Sequence, residues 1–400
     1  MKKKYRYTII ISMMLLLNGC GGKGDSSQEI IHSEVSTFTL EEKKFLHTLF
    51  LTEYLWYDQV SASVDYNQYQ YPQEMIDDLR IDPPDKWSFM ISQKSYESLA
   101  NQQTSGFGFR YRSDFKVYLV RIDAPAWGKL QRGDQIIAVD GESPSIQKID
   151  EVSKNLNVPA IFTVQRDAKT IDVALTPRAY NYKVTQEEIL HRQSKKIGYL
   201  RFDAFTENSV TEIEHAFDHF HTTGIDELVI DLRYNGGGSI DTASILLDNI
   251  TNKYPGQRQM YLDWNANNQN KNSNYYFEEK ELQDGNELTM SRVVFLVTKG
   301  SASASETLIN ALIPYLGRNN IITIGDTTHG KPVGMSGKKY GKHYYFLINF
   351  TVNNTAGDNS GFDGIPATCS AKDDLSHQRG DSNESMLKTA LHYLETGLCL

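Results

Sequence analysis

The residues best suited to chemistry lie in Gly300-Ser301-Ala302-Ser303-Ala304-Ser305-Glu306, with Lys331 following 28 residues after Ser303 and directly after Gly330. A serine between two alanines presents an approachable hydroxyl, and a lysine in a glycine-flanked turn can act as its base. Lysine accepts a proton near neutral pH only when burial or a nearby cation lowers its pKa from about 10.4. Acyl transfer needs a third part, a stabiliser for the oxyanion. Gly236-Gly237-Gly238 lets backbone amides come close to a substrate, and a plain tight turn is the alternative reading. Ser301 and Ser305 compete for the nucleophile's role; their other use is packing and capping, since Ser305-Glu306 fits a helix start.

These residues need elements to hold them. The apolar run 293–297 reads as a buried strand, and the sequence from Glu306 reads as a helix. Ser303 then sits where a strand turns into a helix, beside amides that favour negative charge. Pro314 is expected to shorten or bend that helix. Residues 227–233 form a second buried strand leading into the glycines, and Ile321, Ile322 and Ile324 a third, ending near Gly325 before the lysine loop. Strand 198–202, helix 209–221 and a last helix at 385–394 continue an alternation that implies α/β packing from 180 to 400. The polar, Asn-rich stretch 257–288 reads as an insertion or cap outside the core.

Residues 104–179 have another texture, of short strands and turns. Gly106-Phe107-Gly108-Phe109 opens it. Strand 118–122, Gly133-Asp134, strand 136–139, the Asp140-Gly141 turn, a helix at 146–156 and strands 160–165 and 170–175 follow. The pattern resembles a PDZ domain, in which Gly106, Phe107, Gly108 and Phe109 would capture a peptide's terminal carboxylate while the peptide adds a strand. Residues 39–103 read as a helical N-terminal region, with helices at 40–55 and 74–80. Ahead of it, Lys2, Lys3, Lys4 and Arg6, the apolar 9–17 and Leu17-Asn18-Gly19-Cys20 resemble a lipoprotein signal (1–20), followed by a polar tether at 21–38. An ordinary secretory signal ending in cysteine is the alternative. Lipidation of Cys20 would place the chain in a bacterial envelope, on the periplasmic side or at the outer membrane. Gly21, in place of a retaining aspartate, favours the latter.

Taken together, Asp231-Leu232-Arg233-x-Asn235-Gly236-Gly237-Gly238, Lys299 to Glu306, Gly330-Lys331, the embedded PDZ-like segment and Gly364-Ile365-Pro366 resemble the C-terminal processing, or tail-specific, peptidases of family S41. The resemblance implies a multidomain α/β (α+β) fold and a serine endopeptidase acting on exported proteins or peptides with free C-terminal tails. It implies a Ser303–Lys331 dyad, with the oxyanion held by Gly237, by Gly238 and by the amide of Ala304 or Ser303. Members often carry a glutamine four residues after the lysine; here that position is Met335, and Pro332 replaces a glycine. A catalytically silent peptide-binding lipoprotein and an esterase are the rival readings. Asp326 and His329 raise a Ser-His-Asp alternative, with His329 otherwise a loop residue or substrate contact. Ser336-Gly337-Lys338-Lys339 fits Ser-x-x-Lys but lacks its partner motif.

Composition excludes other classes. A net charge of -9 and scattered aromatics do not suit a nucleic-acid binder. No spacing of His, Cys or acidic residues matches a metal site, and no cofactor motif is present. In an exported chain Cys369 and Cys399 are disulfide candidates, with two free thiols as the alternative.

Overall fold

The computed structural model describes residues 11–12 and 38–400. Cys20 and the tether lie outside the described residues. The N-terminal region opens with α1 (Leu40–Thr52), whose first turn is capped by the Thr39 hydroxyl accepting from the Glu42 amide at 3.2 Å. Helix α2 (Pro72–Leu79) starts on a proline, which suits a first helical position because no intrahelical partner awaits that N–H. Strand β1 (Phe89–Ser92) and helix α3 (Gln93–Ala100) complete the region.

The next unit runs through β2 (Gln103–Gly106), β3 (Phe109–Tyr111), β4 (Val117–Val120), β5 (Gln135–Val139), α4 (Ile146–Lys154), β6 (Ala160–Arg166), β7 (Lys169–Leu175) and β8 (Arg178–Asn181). Strands β5, β6 and β7 form an antiparallel sheet, β3 pairs with β4, and β2 pairs with β8 to close the unit where the chain enters and leaves. It has its own core, in which Phe107, Phe162, Val164, Ile149 and Val152 meet.

The remainder is built on a six-stranded sheet ordered β9-β10-β11-β15-β16-β19: β9 (Thr185–Arg192), β10 (Lys195–Phe202), β11 (Glu227–Asp231), β15 (Val293–Val297), β16 (Ile321–Gly325) and β19 (Cys369–Ser370). Only the β9–β10 pair is antiparallel. Parallel strands need cover on both faces, and their alternate residues show it. Leu228, Ile230, Val293, Phe295 and Val297 face α5 (Ser209–Thr223), α6 (Ile240–Ile250) and α7 (Ala304–Leu316). Val229, Val294, Leu296, Ile322 and Ile324 face α8 (Ser385–Thr396).

A five-stranded antiparallel sheet covers the far side of those helices, with β13 (Arg258–Trp264), β14 (Ser273–Tyr276), β17 (Val333–Tyr340) and β18 (His343–Asn354) joined by β1. The N-terminal region is therefore part of the scaffold. Phe50, Tyr54, Met75 and Trp87 share a core with Met335, Tyr345 and Ile348 of the β17–β18 hairpin. Between the sheets, the two-residue strand β12 (Gly238–Ser239) carries Ile11–Ser12 as an antiparallel partner. Cys369 and Cys399 form a disulfide that ties the segment after α8 to β19.

Two expectations are corrected. The stretch 257–288 is not outside the core: Met260, Leu262 and Trp264 of β13 alternate inward, and the first two are fully buried. The polar residues between them mask a period of two. Of the shortening or bending expected at Pro314, the shortening does not occur: helix α7 continues through it to Leu316. Pro314 cannot donate to the carbonyl of Asn310, and the Asn354 side-chain amide donates to that oxygen instead, at 3.3 Å.

Candidate active site

Strand β15 ends at Val297, a turn follows, and Ser303 caps helix α7 with φ 57° and ψ -115°. A non-glycine residue at positive φ is strained, and such strain persists where surrounding contacts enforce it. Here Glu306 does so. Its carboxylate is fully buried. One oxygen accepts from the backbone N–H of both Ser303 and Lys331, each at 2.9 Å. The other accepts from the Gly330 N–H at 2.7 Å and the Thr328 hydroxyl at 2.6 Å. One side chain thus pins the serine turn and the lysine loop to each other. The lysine loop is braced further by Ile365, whose amide donates to the Thr328 hydroxyl at 2.7 Å. Gly330 is required there, since a Cβ would lie 2.1 Å from the Phe362 carbonyl oxygen.

The structure separates the three serines. Ser301 donates to the Leu232 carbonyl at 2.7 Å, and Ser305 to the Asn235 carbonyl at 2.9 Å. Both hydroxyls are spent on holding the turn against the end of β11. Ser305 lies inside the helix, and the capping position belongs to Ser303.

The glycines lie against the same turn. A Cβ on Gly237 would come within 2.8 Å of the Ala302 oxygen, the Ala304 nitrogen and the Ser303 Cβ, so only glycine fits this approach. Asn235 locks the arrangement: its carbonyl accepts from the Ala302 amide, and its side chain accepts from Gly237 N–H at 2.9 Å. Two of the expected oxyanion donors are therefore engaged in this structure, Gly237 with Asn235 and Ser303 with Glu306. Ala304 N–H, the first of helix α7, has no intrahelical acceptor.

Lys331 is 2% exposed, and its amine has no hydrogen-bond partner among the described residues. Burial pushes its pKa down to about 8, against the opposing pull of Asp85 and Glu306. His329 is otherwise occupied. The Trp87 indole N–H can only donate, so His329 Nε2 accepts from it at 3.1 Å, leaving Nδ1 to donate to the Lys299 carbonyl at 3.3 Å. Neither ring nitrogen is left for a serine.

Comparisons with known proteins give the family. The model for the peptidase S41 N-terminal domain matches residues 41–89, and that for peptidase family S41 matches residues 196–360. The chain belongs to peptidase family S41. Similar relatives include the carboxyl-terminal-processing proteases of Synechocystis sp. (strain ATCC 27184 / PCC 6803 / Kazusa), 28% identical over 57% of this chain and 53% of that protein, and of Picosynechococcus sp. (strain ATCC 27264 / PCC 7002 / PR-6), 26% identical over 62% and 60%. The matches thus span less than two thirds of those relatives. In fold, the chain is similar to an S41 protease structure from Bacteroides fragilis NCTC 9343, with TM-score 0.76, 23% identity, and 88% of this chain and 97% of that one covered. It is also similar to a photosystem II D1 C-terminal processing protease, with TM-score 0.50, 17% identity, and 82% and 91% covered.

In this S41 chain the Asp-Leu-Arg motif has a structural task that its sequence did not disclose. Asp231 accepts from Arg233, Arg379 and Tyr199, and Arg233 also meets Glu384 and Asp373. Burial opposes charge on Asp231, yet Arg233 and Arg379 hold it well below the usual carboxylate range. The network fastens the C-terminal segment beneath the glycine loop. Asp373 also pairs with Arg132 and accepts from the Tyr234 hydroxyl, which joins the 104–179 unit to the residue just before Asn235. Of Gly106 to Phe109, Phe107 is buried in the core of that unit and Phe109 packs against it. The next residue, Arg110, lines a cavity of about 140 Å³ with Leu119, Arg121 and Phe205, and its far wall is Gly236 to Ser239.

The Glu306 clamp gives a direct prediction. In Glu306→Gln either orientation of the amide turns its NH2 toward two donors, and only Thr328 can rotate its hydroxyl to accept. At least one buried N–H is left unpaired, so urea denaturation is expected to show a loss of about 2–3 kcal/mol. A variant as stable as the parent would mean that the clamp is not under this constraint.

Proposed function

We propose that the chain is an exported serine endopeptidase in which Ser303 is the nucleophile and Lys331 the base. The observation that carries this reading is the Lys331 amine, buried, without a hydrogen-bond partner among the described residues and with its pKa brought down to about 8, in a loop clamped to the Ser303 turn by Glu306. The Ser303 hydroxyl oxygen attacks a peptide carbonyl carbon while its proton passes to the neutral amine of Lys331. Negative charge on the carbonyl oxygen is met by the Ala304 amide, beside the backbone of Gly237 and Gly238. The C–N bond then breaks and the lysine ammonium protonates the leaving amine. Water attacks the acyl-enzyme with Lys331 taking its proton, and as the ester C–O bond breaks the ammonium returns that proton to the Ser303 oxygen. The substrate backbone pairs antiparallel with Gly238–Ser239, the edge on which Ile11–Ser12 lies.

The substrates are exported proteins or peptides with free C-terminal tails. The 104–179 unit, read as a PDZ domain, holds the terminal carboxylate on the amides of Gly106 to Phe109. Support comes from φ 106° at Gly106 and φ 79° at Gly108, which turn this loop sharply, and from α4 packing beside it. Lipidated Cys20 anchors the chain to a bacterial envelope membrane, on the periplasmic side or at the outer membrane.

The test is cleavage of an unstructured reporter ending in an apolar tail, supplied as free acid and as amide. The free acid is expected to be cut about tenfold faster, because the amide leaves carboxylate-binding N–H groups unmatched. Equal rates would remove the tail-recognition role. A wild-type chain that binds the tail without cutting it would establish the catalytically silent reading.

A further inference from the structure

We propose that Trp87, held in place by Asp85, is a positioning residue for Lys331, so that the N-terminal region supplies the lysine's orienting partner in this chain. The proposal rests on the serine–lysine reading above. The position four residues after Lys331 is Met335, which is fully buried and offers no hydrogen bond to direct an amine. What faces the amine instead is an indole: Lys331 Nζ lies 5.9 Å from the centre of the Trp87 ring.

That ring is fixed from three sides. Its N–H donates to His329 Nε2 at 3.1 Å, two residues before the lysine. Phe362 stacks on it, centroids 6.2 Å apart with planes 16° from parallel. Its backbone N–H donates to Asp85 at 2.9 Å. Asp85 is fully buried and also accepts from the Tyr54 hydroxyl at 2.8 Å and from the amide and hydroxyl of Ser88 at 3.0 and 2.5 Å. This web gives Trp87 little freedom to leave the amine.

The chemistry explains the use of an aromatic face. When Lys331 takes the Ser303 proton, an ammonium forms in a buried space where no described residue accepts a hydrogen bond from it. A π face attracts that ammonium without needing a lone pair, and the attraction grows when water is excluded. It also leaves the neutral amine unbonded, hence free to accept a proton. The charged and titratable groups around the amine are Asp85, Glu306 and His329; the first two favour the ammonium from a distance, since their oxygens are taken by other donors. Asp85 and Trp87 both come from the N-terminal region, which would thereby complete the site as well as brace the second sheet.

The experiment compares kcat and KM against pH for the full chain and for Trp87→Phe and Trp87→Leu, with thermal unfolding of each. Weakening the π face makes the ammonium harder to form. The acidic limb of kcat is therefore expected to move about one pH unit lower in Trp87→Leu, with a smaller move in Trp87→Phe and kcat reduced about tenfold at the plateau. KM stays within about twofold, because the substrate is not touched. Folded variants whose limb coincides with the parent's would overturn the proposal and leave Trp87 a packing residue. If Trp87→Leu loses its cooperative unfolding transition, Trp87→Phe, which keeps a ring, decides by the same limb. Failure of the serine–lysine reading looks different: it shows in the parent itself, as a flat profile or as activity surviving Lys331→Met.

Discussion

Ser303→Ala is expected to reduce peptide cleavage by about 10³-fold or more, while Ser301→Ala and Ser305→Ala keep measurable turnover. The three serines sit within five residues and are all buried, so exposure does not rank them. The tasks of the flanking pair and the backbone at Ser303 do. Ser301 and Ser305 donate to the carbonyls of Leu232 and Asn235, and losing either hydroxyl removes one buried hydrogen bond, costing about 1 kcal/mol of stability. Ser303 alone combines the helix cap, positive φ and contact with Gly237. Steady-state cleavage of an unstructured substrate, with thermal unfolding of each variant, separates the cases. A cleavage-dead but folded Ser301→Ala or Ser305→Ala, beside an active Ser303→Ala, would overturn the assignment.

Much of this site was legible because its parts are local. Small residues around Ser303, a glycine triplet after an apolar run and a glycine before Lys331 each state a backbone requirement within a few residues. The embedded unit was legible for the same reason, as its turns and strands recur at short spacing. The shortening expected at Pro314 does not occur because of a compensating donor, Asn354, that is 40 residues away and that no local pattern announces. The hairpin β17–β18 went unread: Val333 to Tyr340 mixes lysines with glycines, and its burial comes from the N-terminal region packed on it. Glu306 was visible only as a first-turn acid. Four donors from two segments converge on it, and convergence is a property of the fold. Trp87 is the extreme case, since it meets His329 across 242 residues of sequence.

Lys331→Met is expected to abolish cleavage and yet make the protein more stable at neutral pH. The unfolded lysine keeps its proton up to its ordinary value of 10.5, whereas in the folded chain burial brings the pKa down to about 8. Between those values the unfolded state binds more protons, so stability rises with pH across that window. Below about pH 8 the folded protein carries the full burden of a buried ammonium, about 3 kcal/mol. Met removes it while filling a similar volume. Urea unfolding at pH 7 should therefore favour Lys331→Met by up to that amount, and the advantage should shrink above pH 8. Cleavage by the parent should rise with pH through about 8, as the amine becomes free to accept the Ser303 proton. A base that opposes folding is understandable only if the reaction requires it, so the two measurements bear on each other. A variant that is inactive and also less stable at every pH would show that Lys331 is held for packing, and a parent rate independent of pH from 6 to 9 would show that another group takes the proton.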